Sequence, residues 1–559
     1  MSSRHWPFWP QKLSRELTLP ETTLCYNAEV SAKRYPDKTF LLYYDTPISF
    51  AVFKAESDAL AGFLSEVCHV KSGDRVLLYM QNCPQFMVSY YAILRANAVV
   101  VPINPMNRQH ELEHYIQDTL AHTIIASQEL LAQVRPHLEK THAVLQHAVV
   151  SVYSDYLRVP SDLPIPDFLK LPAEDLSGPG LYAWRQALDL AAKPPVLTVG
   201  PDDLCVMPYT SGTTGTPKGC MHTHRTVMST LCASEAWFSA KADDVKLAVL
   251  PLFHVTGMQS GMNSPLYTGS TVVLLSRWDR DLAAQCIEKY QVTNFSAIPT
   301  MIVDLLASPH IAQCNLSSLK RLHGGGAAMP EAIAQKLLDM GLTYVEGYGL
   351  SETIAPSHYN PPDRAKKQCL GIPIFGVESC IVDPVTLEEL PNGETGEIII
   401  SGPQTFKGYW QQPDASREAL IHWRGRVFLR TGDLGREDEE GYFFMVDRLK
   451  RMINSSGYKV WPAEVELMLY RHPHVHEACV ISSKDAYRGE TVKALVVLKA
   501  EHRESARIEE MMAWAQEQMA AYKAPKMMEF VTHLPKSASG KILWRELQDL
   551  ETKKSSSQD

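Results

Sequence analysis

The chain lacks several features that would each point to a particular class of protein. It has 11 cysteines but no Cys-x-x-Cys pair, and this odd, unpatterned set predicts reduced thiols in a cytoplasmic protein. No apolar run approaches the roughly 20 residues that span a bilayer. The formal net charge of −9 leaves no basic excess, which argues against a nucleic-acid partner. Met1 to Pro20 has no continuous apolar core, which argues against a signal peptide.

What is present is a long chain of ordinary globular composition. At 559 residues, 45% of them hydrophobic, it is too long for one core and should form at least two domains. Helical stretches alternate with short apolar strands over residues 1–200, which predicts a mainly parallel sheet. We expect helices at Phe50–Val67 and Gln85–Ala96, strands at Arg75–Met80 and Val99–Pro102, and a long proline-rich connection at Pro160–Pro201.

The most specific stretch is residues 209–219, which read Tyr-Thr-Ser-Gly-Thr-Thr-Gly-Thr-Pro-Lys-Gly. Its glycines let backbone N–H groups approach a ligand, and its hydroxyls and Lys218 add donors, so it suits a polyphosphate. A helix predicted at Thr226–Phe238 would add a positive terminus. The Walker template fails, because Pro217 precedes the lysine and Gly219 follows it. A Gly/Ser/Thr loop alone is usually a flexible connector, but the complete string is far more specific.

This string resembles the phosphate loop of the adenylate-forming superfamily, which contains acyl-CoA synthetases, beetle luciferases and peptide-synthetase adenylation domains. His323–Met329 and Val345–Thr353 resemble the adenine site of that superfamily, with Tyr348 as the stacking face. Arg430–Gly435 resembles its ribose motif, in which Asp433 can accept both ribose hydroxyls. The resemblance implies ATP binding by Thr210, Ser211, Gly212, Thr213, Thr214, Gly215, Lys218, Gly325, Gly326, Ala327, Glu346, Gly347, Tyr348, Gly349, Ser351, Asp433 and Arg448.

The same resemblance implies a magnesium ligand and an acid pocket. Glu352 would ligate Mg²⁺, a hard ion that prefers oxygen donors and phosphates, although such a carboxylate taken alone is usually a surface residue. Pro251–Met258 resembles the segment that lines the carboxylate pocket, with His254 at its gate. Because this segment carries no carboxylate to pair with an amino group, it favours an acid without an α-amino group. The implied acid-pocket residues are His254, Val255, Met258 and Gly324.

The segment Asp447–Arg451 resembles the link about which superfamily members rotate a small C-terminal domain. Asp447 and Lys450 are the implied hinge residues. The predicted domains are therefore an ATP- and acid-binding domain at 1–446, a hinge at 447–451 and a mobile catalytic domain at 452–559. Ser456 and Gly457 resemble residues that line the pantetheine tunnel, so they are implied to bind CoA.

The C-terminal segment Leu534–Arg545 resembles the superfamily's C-terminal catalytic motif. Its candidate lysines are Lys536 and Lys541, and the family's catalytic lysine is the one after glycine, Lys541. The alternating histidines at 472, 474 and 476 have a spacing that suits metal ligands, but we expect an ordinary exposed connection between a helix and a strand.

The resemblance, which runs from about residue 30 to about residue 547, implies an α/β fold with a large N-terminal domain of two α/β sheets plus a small β subdomain. A small mobile α+β C-terminal domain would follow. The implied activity is that of an AMP-forming acid–CoA ligase with ATP, Mg²⁺ and CoA, in which Lys541, Glu352 and His254 are catalytic. The apolar pocket favours a medium- to long-chain fatty acid, and an aryl or alicyclic acid is the closest alternative.

Other functions stay open at this point. A luciferase-type oxygenase uses the same first half-reaction, and transfer to a carrier protein could replace transfer to CoA. A non-catalytic nucleotide-binding module is disfavoured, because Lys218, Glu352, Asp433 and Lys541 are all present. The expected partners are the small-molecule substrates, whereas peripheral membrane contact and a homodimer are left open.

Overall fold

The structure is a computed structural model, which describes residues 4–210, 217–326, 329–455, 458–485, 489–537 and 541–556. The chain forms two compact units. The larger unit contains His5–Glu378 and Ile400–Leu429, and the smaller unit contains Ser379–Ile399 and the residues from Arg430 onward. The predicted hinge at 447–451 stays a prediction, and so do the domain limits on either side of it.

The helices and strands of the first 200 residues alternate as expected. They are α1 Leu24–Arg34, β1 Thr39–Tyr43, β2 Thr46–Ser49, α2 Phe50–Glu66, β3 Arg75–Tyr79, α3 Pro84–Arg95, β4 Val99–Ile103, α4 Gln109–Thr119, β5 Thr123–Ser127, α5 Leu131–Leu138, β6 His147–Ser151, β7 Leu181–Ala183 and α6 Trp184–Asp189. The predicted connection at Pro160–Pro201 is partly regular, since β7 and α6 lie within it.

The central part of the chain contains short strands around the predicted phosphate loop and then longer α/β units. Its elements are β8 Leu204–Val206, β9 Tyr209–Thr210, β10 Lys218–Gly219, β11 His222–Thr223, α7 His224–Trp237, β12 Val245–Ala248, α8 Val255–Met258, α9 Ser264–Thr268, β13 Thr271–Leu274, α10 Arg280–Lys289, β14 Asn294–Ser296, α11 Pro299–Leu306, β15 Arg321–Gly325, α12 Glu331–Asp339, β16 Tyr344–Leu350, β17 Ala355–Tyr359 and β18 Ile372–Pro373.

The last part is richer in strands. Its elements are β19 Glu378–Val382, β20 Gly396–Ser401, α13 Pro413–Ala419, β21 Leu420–Trp423, β22 Arg426–Glu437, β23 Phe443–Arg448, β24 Ile453–Ser455, β25 Tyr458–Val460, α14 Pro462–Leu469, β26 Val475–Asp485, β27 Gly489–Leu498, α15 Ile508–Gln518, β28 Met527–Phe530 and α16 Trp544–Ser556.

One sheet of the larger unit has the strand order β11-β8-β4-β3-β5-β6-β7. Neighbouring strands from β8 to β7 are parallel, and β11 is antiparallel at one edge. β4 reads Val-Val-Val-Pro-Ile and is buried along its whole length, as in a parallel strand covered on both faces. The mainly parallel sheet predicted for the first 200 residues is therefore confirmed.

The other large sheet of this unit has the order β18-β17-β16-β15-β14-β12-β13-β1-β2. Its strands are parallel from β16 to β1. The carboxyl ends of β12, β15 and β16 consequently lie on one edge, where ligands bind in open α/β sheets. The predicted acid segment follows β12, and the glycine segments of the predicted adenine site lie at the ends of β15 and β16.

Helix α3 joins the two sheets into one hydrophobic core. Its residues Pro84 to Leu94 are all buried. They pack with Leu78 of β3 and Val273 of β13 in a single cluster. Tyr91 also donates a hydrogen bond to Asn263 Oδ1 at 3.0 Å. An all-round apolar helix of this kind is expected where both faces are covered by protein.

The smaller unit has its own sheet and core. The sheet has the order β25-β24-β27-β26, with β28 parallel to β27. Val465 of α14 and Met511 of α15 pack against strand residues such as Val480 and Ala494. The hairpin of β22 and β23 also belongs to this unit from Arg430 onward, with Asp433 opposite Arg448.

The predicted fold class, two α/β sheets with β structure and a small α+β unit, is confirmed.

The cysteines are free thiols, as predicted. Ten of the eleven are buried, and Cys314 is half-buried. Burial raises the pKa of the thiols of Cys25, Cys68, Cys286 and Cys479 to about 12. These sulfur atoms therefore act as small apolar groups of the core.

None of the helices in the described ranges combines the length and the apolar character needed to cross a membrane.

Candidate active site

The two ends of the predicted phosphate loop lie on paired strands. β9 and β10 are antiparallel, with Thr210 opposite Lys218. Tyr209 donates a hydrogen bond to Asp118 of α4, and the carbonyl of Pro217 accepts one from His114 Nε2 at 3.0 Å. These contacts anchor both ends of the stretch. The predicted phosphate-loop residues Ser211, Gly212, Thr213, Thr214 and Gly215 lie outside the described residues.

The helix predicted after this loop is confirmed as α7, but its first amides are engaged within the protein. β10 and β11 come first, and α7 begins at His224. Thr223 caps the helix by accepting a hydrogen bond from the N–H of Thr226 at 3.2 Å. The N–H of His224 donates to the carbonyl of Asp203 at 3.2 Å. The expected helix terminus at the phosphates is therefore replaced by internal contacts.

Lys218 and Glu352 come together through a tyrosine that the sequence analysis missed. The ammonium of Lys218 lies 5.0 Å from the ring centroid of Tyr409. The hydroxyl of Tyr409 donates a hydrogen bond to Glu352 Oε1 at 2.7 Å. Burial and the neighbouring Glu352 carboxylate raise the pKa of Tyr409, so its hydroxyl stays a donor at neutral pH. Three segments of the larger unit thus place a cation, an aromatic ring and a carboxylate side by side.

The backbone around Tyr409 is paired with the chain that follows Lys218. Cys220 and Tyr409 form an antiparallel bridge. The N–H of Trp410 donates to the carbonyl of Gly219 at 2.8 Å, and the N–H of Phe406 donates to the carbonyl of Glu352 at 2.9 Å. The only sequence signal for this pairing is the aromatic pair after a glycine at 408–410, which by itself indicates a turn.

Ser351 is held by a buried histidine. The residues Ser351–Thr353 form a single 3-10 turn after β16. His222 Nε2 lies 2.7 Å from the carbonyl of Ser351. Burial lowers the pKa of His222 to about 4, so the ring is neutral. Because a carbonyl can only accept, Nε2 carries the proton, and Nδ1, left as an acceptor, lies 3.2 Å from Thr226 Oγ1.

The glycine segments of β15 and β16 face each other in register. Gly324 pairs with Glu346, and Gly325 pairs with Gly347. A Cβ atom on Gly324 would lie 2.0 Å from the carbonyl oxygen of Ala297, and one on Gly347 would lie 2.4 Å from the ring of Tyr359. Both positions therefore require glycine. Gly326 follows with a φ of +90°, a conformation that glycine adopts readily.

Tyr348, the predicted adenine-stacking residue, lies on β16 opposite His358 of β17. The two ring centroids are 5.6 Å apart, with an interplanar angle of 55°. Tyr348 is half-buried. Gly349, another predicted ATP residue, follows it on the same strand and pairs with Pro356.

Glu346, predicted to bind ATP, has its side chain inside the protein. The residue is 8% exposed. Its Oε1 accepts a hydrogen bond from the N–H of Gln368 at 3.2 Å. Burial raises the pKa of this carboxyl to about 7, against the backbone hydrogen bonds that favour the ionised form. A titrating group near neutral pH therefore lies beside the predicted adenine site.

His254 is the N-cap of α8. Its Nδ1 accepts a hydrogen bond from the N–H of Thr256 at 3.4 Å, and its carbonyl accepts one from the N–H of Met258 at 2.9 Å. The side chain is half-buried. A π-helical turn at Gln259–Asn263 follows α8 directly. Such turns are frequent at functional sites, because they change the direction of side chains along a helix.

Two of the predicted acid-pocket residues pack in the core. Val255 is 2% exposed and Met258 is fully buried. Tyr90 of α3 donates a hydrogen bond to the sulfur of Met258 at 3.5 Å. Their part in an acid pocket stays a prediction.

In the smaller unit, Asp433 and Arg448 form an ion pair across the hairpin of β22 and β23. Arg448 Nε lies 3.0 Å from Asp433 Oδ1, and the side chain of Asp433 is 2% exposed. The N–H of Asp433 donates to Thr431 Oγ1 at 3.1 Å. The structure thus places the two predicted ribose residues side by side.

The structure distinguishes the two candidate lysines. Lys536 forms an ion pair with Glu477 at 2.5 Å. Lys541 instead lies within electrostatic range of Arg448 and Asp433. Loss of hydration and the Arg448 guanidinium lower the pKa of Lys541, while Asp433 opposes this shift. The two lysines therefore have different charged neighbours, and the catalytic role of Lys541 stays a prediction.

The predicted hinge residue Asp447 is buried and bonded on two sides. It is 1% exposed. Its Oδ1 accepts from the N–H of Arg448 at 2.6 Å, and its Oδ2 accepts from the N–H of Ala463 at the start of α14 at 2.7 Å. Burial raises the pKa of this carboxyl. Lys450 lies in the short 3-10 turn that follows, Leu449–Arg451.

The remaining predicted residues are Ala327, the two implied CoA-binding residues and the alternating histidines. Ala327, Ser456 and Gly457 lie outside the described residues. The ring of His474 stacks on His502, with centroids 4.0 Å apart. Within the described ranges, no group of three or more His, Cys, Asp or Glu side chains could hold a metal.

Comparison with known proteins identifies the family. A family model described as AMP-binding enzyme matches residues 28–410, and one described as AMP-binding enzyme C-terminal domain matches residues 464–541. The long-chain-fatty-acid–CoA ligase of Bacillus subtilis (strain 168) is 36% identical over 555 residues, which cover 97% of each chain. The feruloyl-CoA synthase of an Amycolatopsis species is 34% identical over 523 residues, which cover 92% of this chain and 96% of that one.

A solved structure agrees with these matches. The anthranilate CoA ligase AuaEII in complex with anthranoyl-AMP has a TM-score of 0.83 at 26% identity, covering 97% of this chain and 99% of that one. The chain belongs to the family of AMP-binding enzymes. The predicted superfamily is thereby confirmed, and so is the predicted class, an AMP-forming acid–thiol ligase.

Proposed function

We propose that the enzyme converts a medium- to long-chain fatty acid into its CoA thioester in two half-reactions. In the first, a carboxylate oxygen of the acid attacks the α-phosphorus of ATP. The bond from that phosphorus to the bridging oxygen breaks, and pyrophosphate leaves. In the second, the CoA sulfur loses its proton and attacks the acyl carbonyl carbon. The bond to the AMP oxygen then breaks, which yields acyl-CoA and AMP.

The observation that carries this proposal is the arrangement of Lys218, Tyr409 and Glu352 in the larger unit. A polyphosphate develops negative charge on its leaving oxygens, and a fixed cation stabilises that charge without reorganisation. The Lys218 ammonium lies over the Tyr409 ring, and Glu352 accepts the hydroxyl of that ring. A phosphate-binding cation beside a carboxylate is the combination that a metal–nucleotide complex needs.

The residues present fit a magnesium ion. Mg²⁺ is usually held by one or two carboxylates together with substrate phosphates and waters, and Glu352 is such a carboxylate beside a phosphate-binding lysine. Tyr409 and His222 fix the chain on either side of Glu352, through Oε1 of its side chain and the carbonyl of Ser351. When bound, the ion would neutralise charge on the pyrophosphate.

The nucleoside would be held by the predicted ATP-binding residues. Tyr348 would stack on adenine beside the paired ends of β15 and β16. Asp433 would accept the ribose hydroxyls, with Arg448 orienting its carboxylate through the ion pair. Ser351 would face the phosphates.

The predicted C-terminal domain, residues 452–559, would act in both half-reactions. Lys541 would stabilise charge at the α-phosphate and the acid's oxygen during adenylation. Ser456 and Gly457 would line the path of the CoA pantetheine arm during thioester formation. Because one small domain cannot present both faces at once, it would turn about the link at 447–451 between the steps.

The fatty-acid assignment rests on the acid segment and on the B. subtilis relative. Pro251–Met258 carries apolar residues and no carboxylate, and the relative that is 36% identical is named a long-chain-fatty-acid–CoA ligase. An aryl acid is the second candidate, because a feruloyl-CoA synthase is 34% identical and an anthranilate CoA ligase shares the fold.

A pyrophosphate-release screen tests the proposal. The purified enzyme would be assayed with ATP and Mg²⁺ over saturated fatty acids of rising chain length, cinnamic and benzoic acids and amino acids, each with and without CoA. Fastest turnover with a medium or long fatty acid, and acyl-CoA as product, is expected. Fastest turnover with an aryl acid would establish the second candidate, and turnover with amino acids alone would contradict the acid-pocket assignment.

Added controls address the remaining alternatives. Light emission with luciferin would indicate a luciferase-type enzyme, and pyrophosphate release that needs a carrier protein in place of CoA would reassign the acceptor. ATP binding without pyrophosphate release from any acid would indicate a binding module. A cytoplasmic location stays a prediction, and peripheral membrane contact and a homodimer stay open.

A further inference from the structure

The ring and the hydroxyl of Tyr409 make different contacts. The ring face lies 5.0 Å below the Lys218 ammonium, within the range of a cation–π interaction. The hydroxyl, at the edge of the same ring, donates to Glu352 Oε1 at 2.7 Å. One side chain therefore contacts both the predicted phosphate cation and the predicted metal-binding carboxylate.

The position of Tyr409 is itself fixed by the fold. Its N–H donates to Ser416 Oγ at 2.8 Å. Its ring packs edge-on against Phe406, with centroids 4.9 Å apart. The antiparallel bridge to Cys220 ties its backbone to the chain that carries Lys218. A side chain constrained in this way can orient its neighbours, because its own rotamer freedom is already lost.

We propose that Tyr409 is a positioning residue that orients Glu352 toward magnesium through its hydroxyl and supports Lys218 through its ring. The inference rests on the proposed function, since it assigns the two neighbours to Mg²⁺ and to phosphate. A hydrogen bond to a carboxylate fixes the direction of its oxygens, and a metal site loses affinity when such an outer partner is removed. The hydroxyl should therefore govern the magnesium requirement, and the ring should govern ATP binding.

The test separates the two contacts with two substitutions. Tyr409→Phe keeps the ring and removes the hydroxyl. Tyr409→Leu removes both while still filling space. In Tyr409→Phe we expect the Mg²⁺ concentration for half-maximal ATP binding to rise about tenfold, the scale of one hydrogen bond to a charged group. In Tyr409→Leu we expect ATP binding to weaken further at saturating Mg²⁺.

The readout is ATP binding without turnover. Calorimetric titration of the enzyme with ATP, in the absence of acid and at a series of Mg²⁺ concentrations, gives the metal dependence directly. Thioester formation from supplied acyl-AMP should keep its rate in both variants, since neither pyrophosphate nor its metal takes part in that step. An unchanged Mg²⁺ dependence in Tyr409→Phe would overturn the proposal.

Tyr156→Phe is the matched control. Tyr156 is also buried in the larger unit, and its hydroxyl donates to Glu56 Oε2 at 2.6 Å. If the magnesium requirement of Tyr156→Phe rose as much as that of Tyr409→Phe, the effect would be explained by a general loss of stability. Should Tyr409→Phe fail to fold, a second variant takes its place. Ser416→Ala removes the acceptor of the Tyr409 N–H, together with a hydrogen bond to the Gln412 carbonyl, and must raise the requirement in the same direction. No rise there would also overturn the proposal.

Different results would contradict the positioning role of Tyr409 and the proposed function. If wild-type enzyme forms acyl-CoA with Mg²⁺ but Tyr409→Phe retains its magnesium dependence, the positioning role is wrong and the proposed function stands. If wild-type enzyme binds ATP without any dependence on Mg²⁺, the assignment of Glu352 and the role of Tyr409 are both wrong.

Discussion

Asn82 and Leu252 lie 170 positions apart, and the side-chain oxygen of the first accepts a hydrogen bond from the backbone N–H of the second at 2.8 Å. The side-chain nitrogen of Asn82 donates to the carbonyl of Leu250 at 3.0 Å. One buried amide after β3 thus clamps both sides of Pro251, at the start of the predicted acid segment. His254 lies two residues after Leu252, so its position depends on the hydrogen bonds of Asn82.

Asn82→Leu should destabilise the enzyme and weaken its use of the acid. The substitution keeps side-chain volume but leaves a backbone N–H and a carbonyl unpaired in the core, at a cost of about 2–4 kcal/mol. The KM for the acid should rise while the KM for ATP stays near the wild-type value. Thermal unfolding and steady-state kinetics would measure both effects. Ser276→Ala is the control, because Ser276 contacts the Asn82 carbonyl and Tyr43 but not the acid segment. Equal changes in both KM values would contradict the clamp.

His254→Ala should alter the choice of acid more than it alters ATP affinity. The histidine caps α8 at the acid segment, away from the paired strands of the phosphate loop. Competition between acids of different chain length, together with KM for ATP, would show the difference. His147→Ala, a half-buried histidine on β6, serves as the control. A strongly raised KM for ATP with unchanged acid preference would refute the assignment.

Lys541→Ala should slow acyl-adenylate formation about 10²–10³-fold and largely spare thioester formation from supplied acyl-AMP. A contact made chiefly in the transition state appears as a loss of rate, and removing one such charge contact has this magnitude. Single-turnover kinetics of each half-reaction would measure it. Lys536→Ala is the matched control, because Lys536 lies five positions before Lys541 in the same motif and pairs with Glu477 instead. Equal loss in both half-reactions would make Lys541 a structural residue.

Gly457→Leu should show the reverse pattern. The residue lies outside the described residues, and its predicted place beside the pantetheine path comes from the sequence motif. A side chain there should slow thioester formation and spare adenylation. The same single-turnover assays measure both steps. A selective loss of adenylation would contradict the predicted place of Gly457 beside the pantetheine path.

Glu346 should make stability fall as the pH rises toward neutrality. Its pKa is about 7 in the folded protein, whereas an exposed glutamate, as in the unfolded chain, has a pKa of 4.5. Between these values the unfolded chain binds fewer protons than the folded one, so stability decreases from about pH 4.5 to about pH 7 and then levels off. The melting temperature of Glu346→Gln should depend less on pH across this window. Glu139→Gln, an exposed carboxylate on the surface of the same unit, should retain the wild-type slope. Identical slopes in all three proteins would contradict the shift.

The architecture and the main motifs could be predicted because they are local in the sequence. Hydrophobic periodicity places α2, α3, β3 and β4 within a residue or two of their observed limits, since each depends on its own residues. The motif strings could be read for the same reason.

Tyr409 and Asn82 could not be found in this way. Tyr409 contacts Glu352, 57 positions away, and Asn82 contacts the backbone of Leu252, 170 positions away. Neither composition nor spacing in the sequence shows which distant residues will meet in this way. The sequence likewise does not show that Lys536 and Lys541 have different charged neighbours. The structure shows Glu477 beside Lys536 and Asp433 near Lys541. Val255 and Met258 show a limit of the sequence pattern, since an apolar residue in a pocket motif and one in the core have the same sequence signature.

The buried cysteines have a bearing on the redox chemistry of the second substrate. CoA is itself a thiol, and under oxidising conditions a pool of CoA disulfide forms mixed disulfides with protein thiolates that it can reach. In this chain ten of the eleven cysteine sulfur atoms are enclosed by protein. The half-buried Cys314 has a raised pKa, through loss of hydration and the acidic residues Glu288 and Asp281, and is thus a poor thiolate. The enzyme would therefore remain unmodified when its cosubstrate is oxidised, and its rate would follow the supply of reduced CoA.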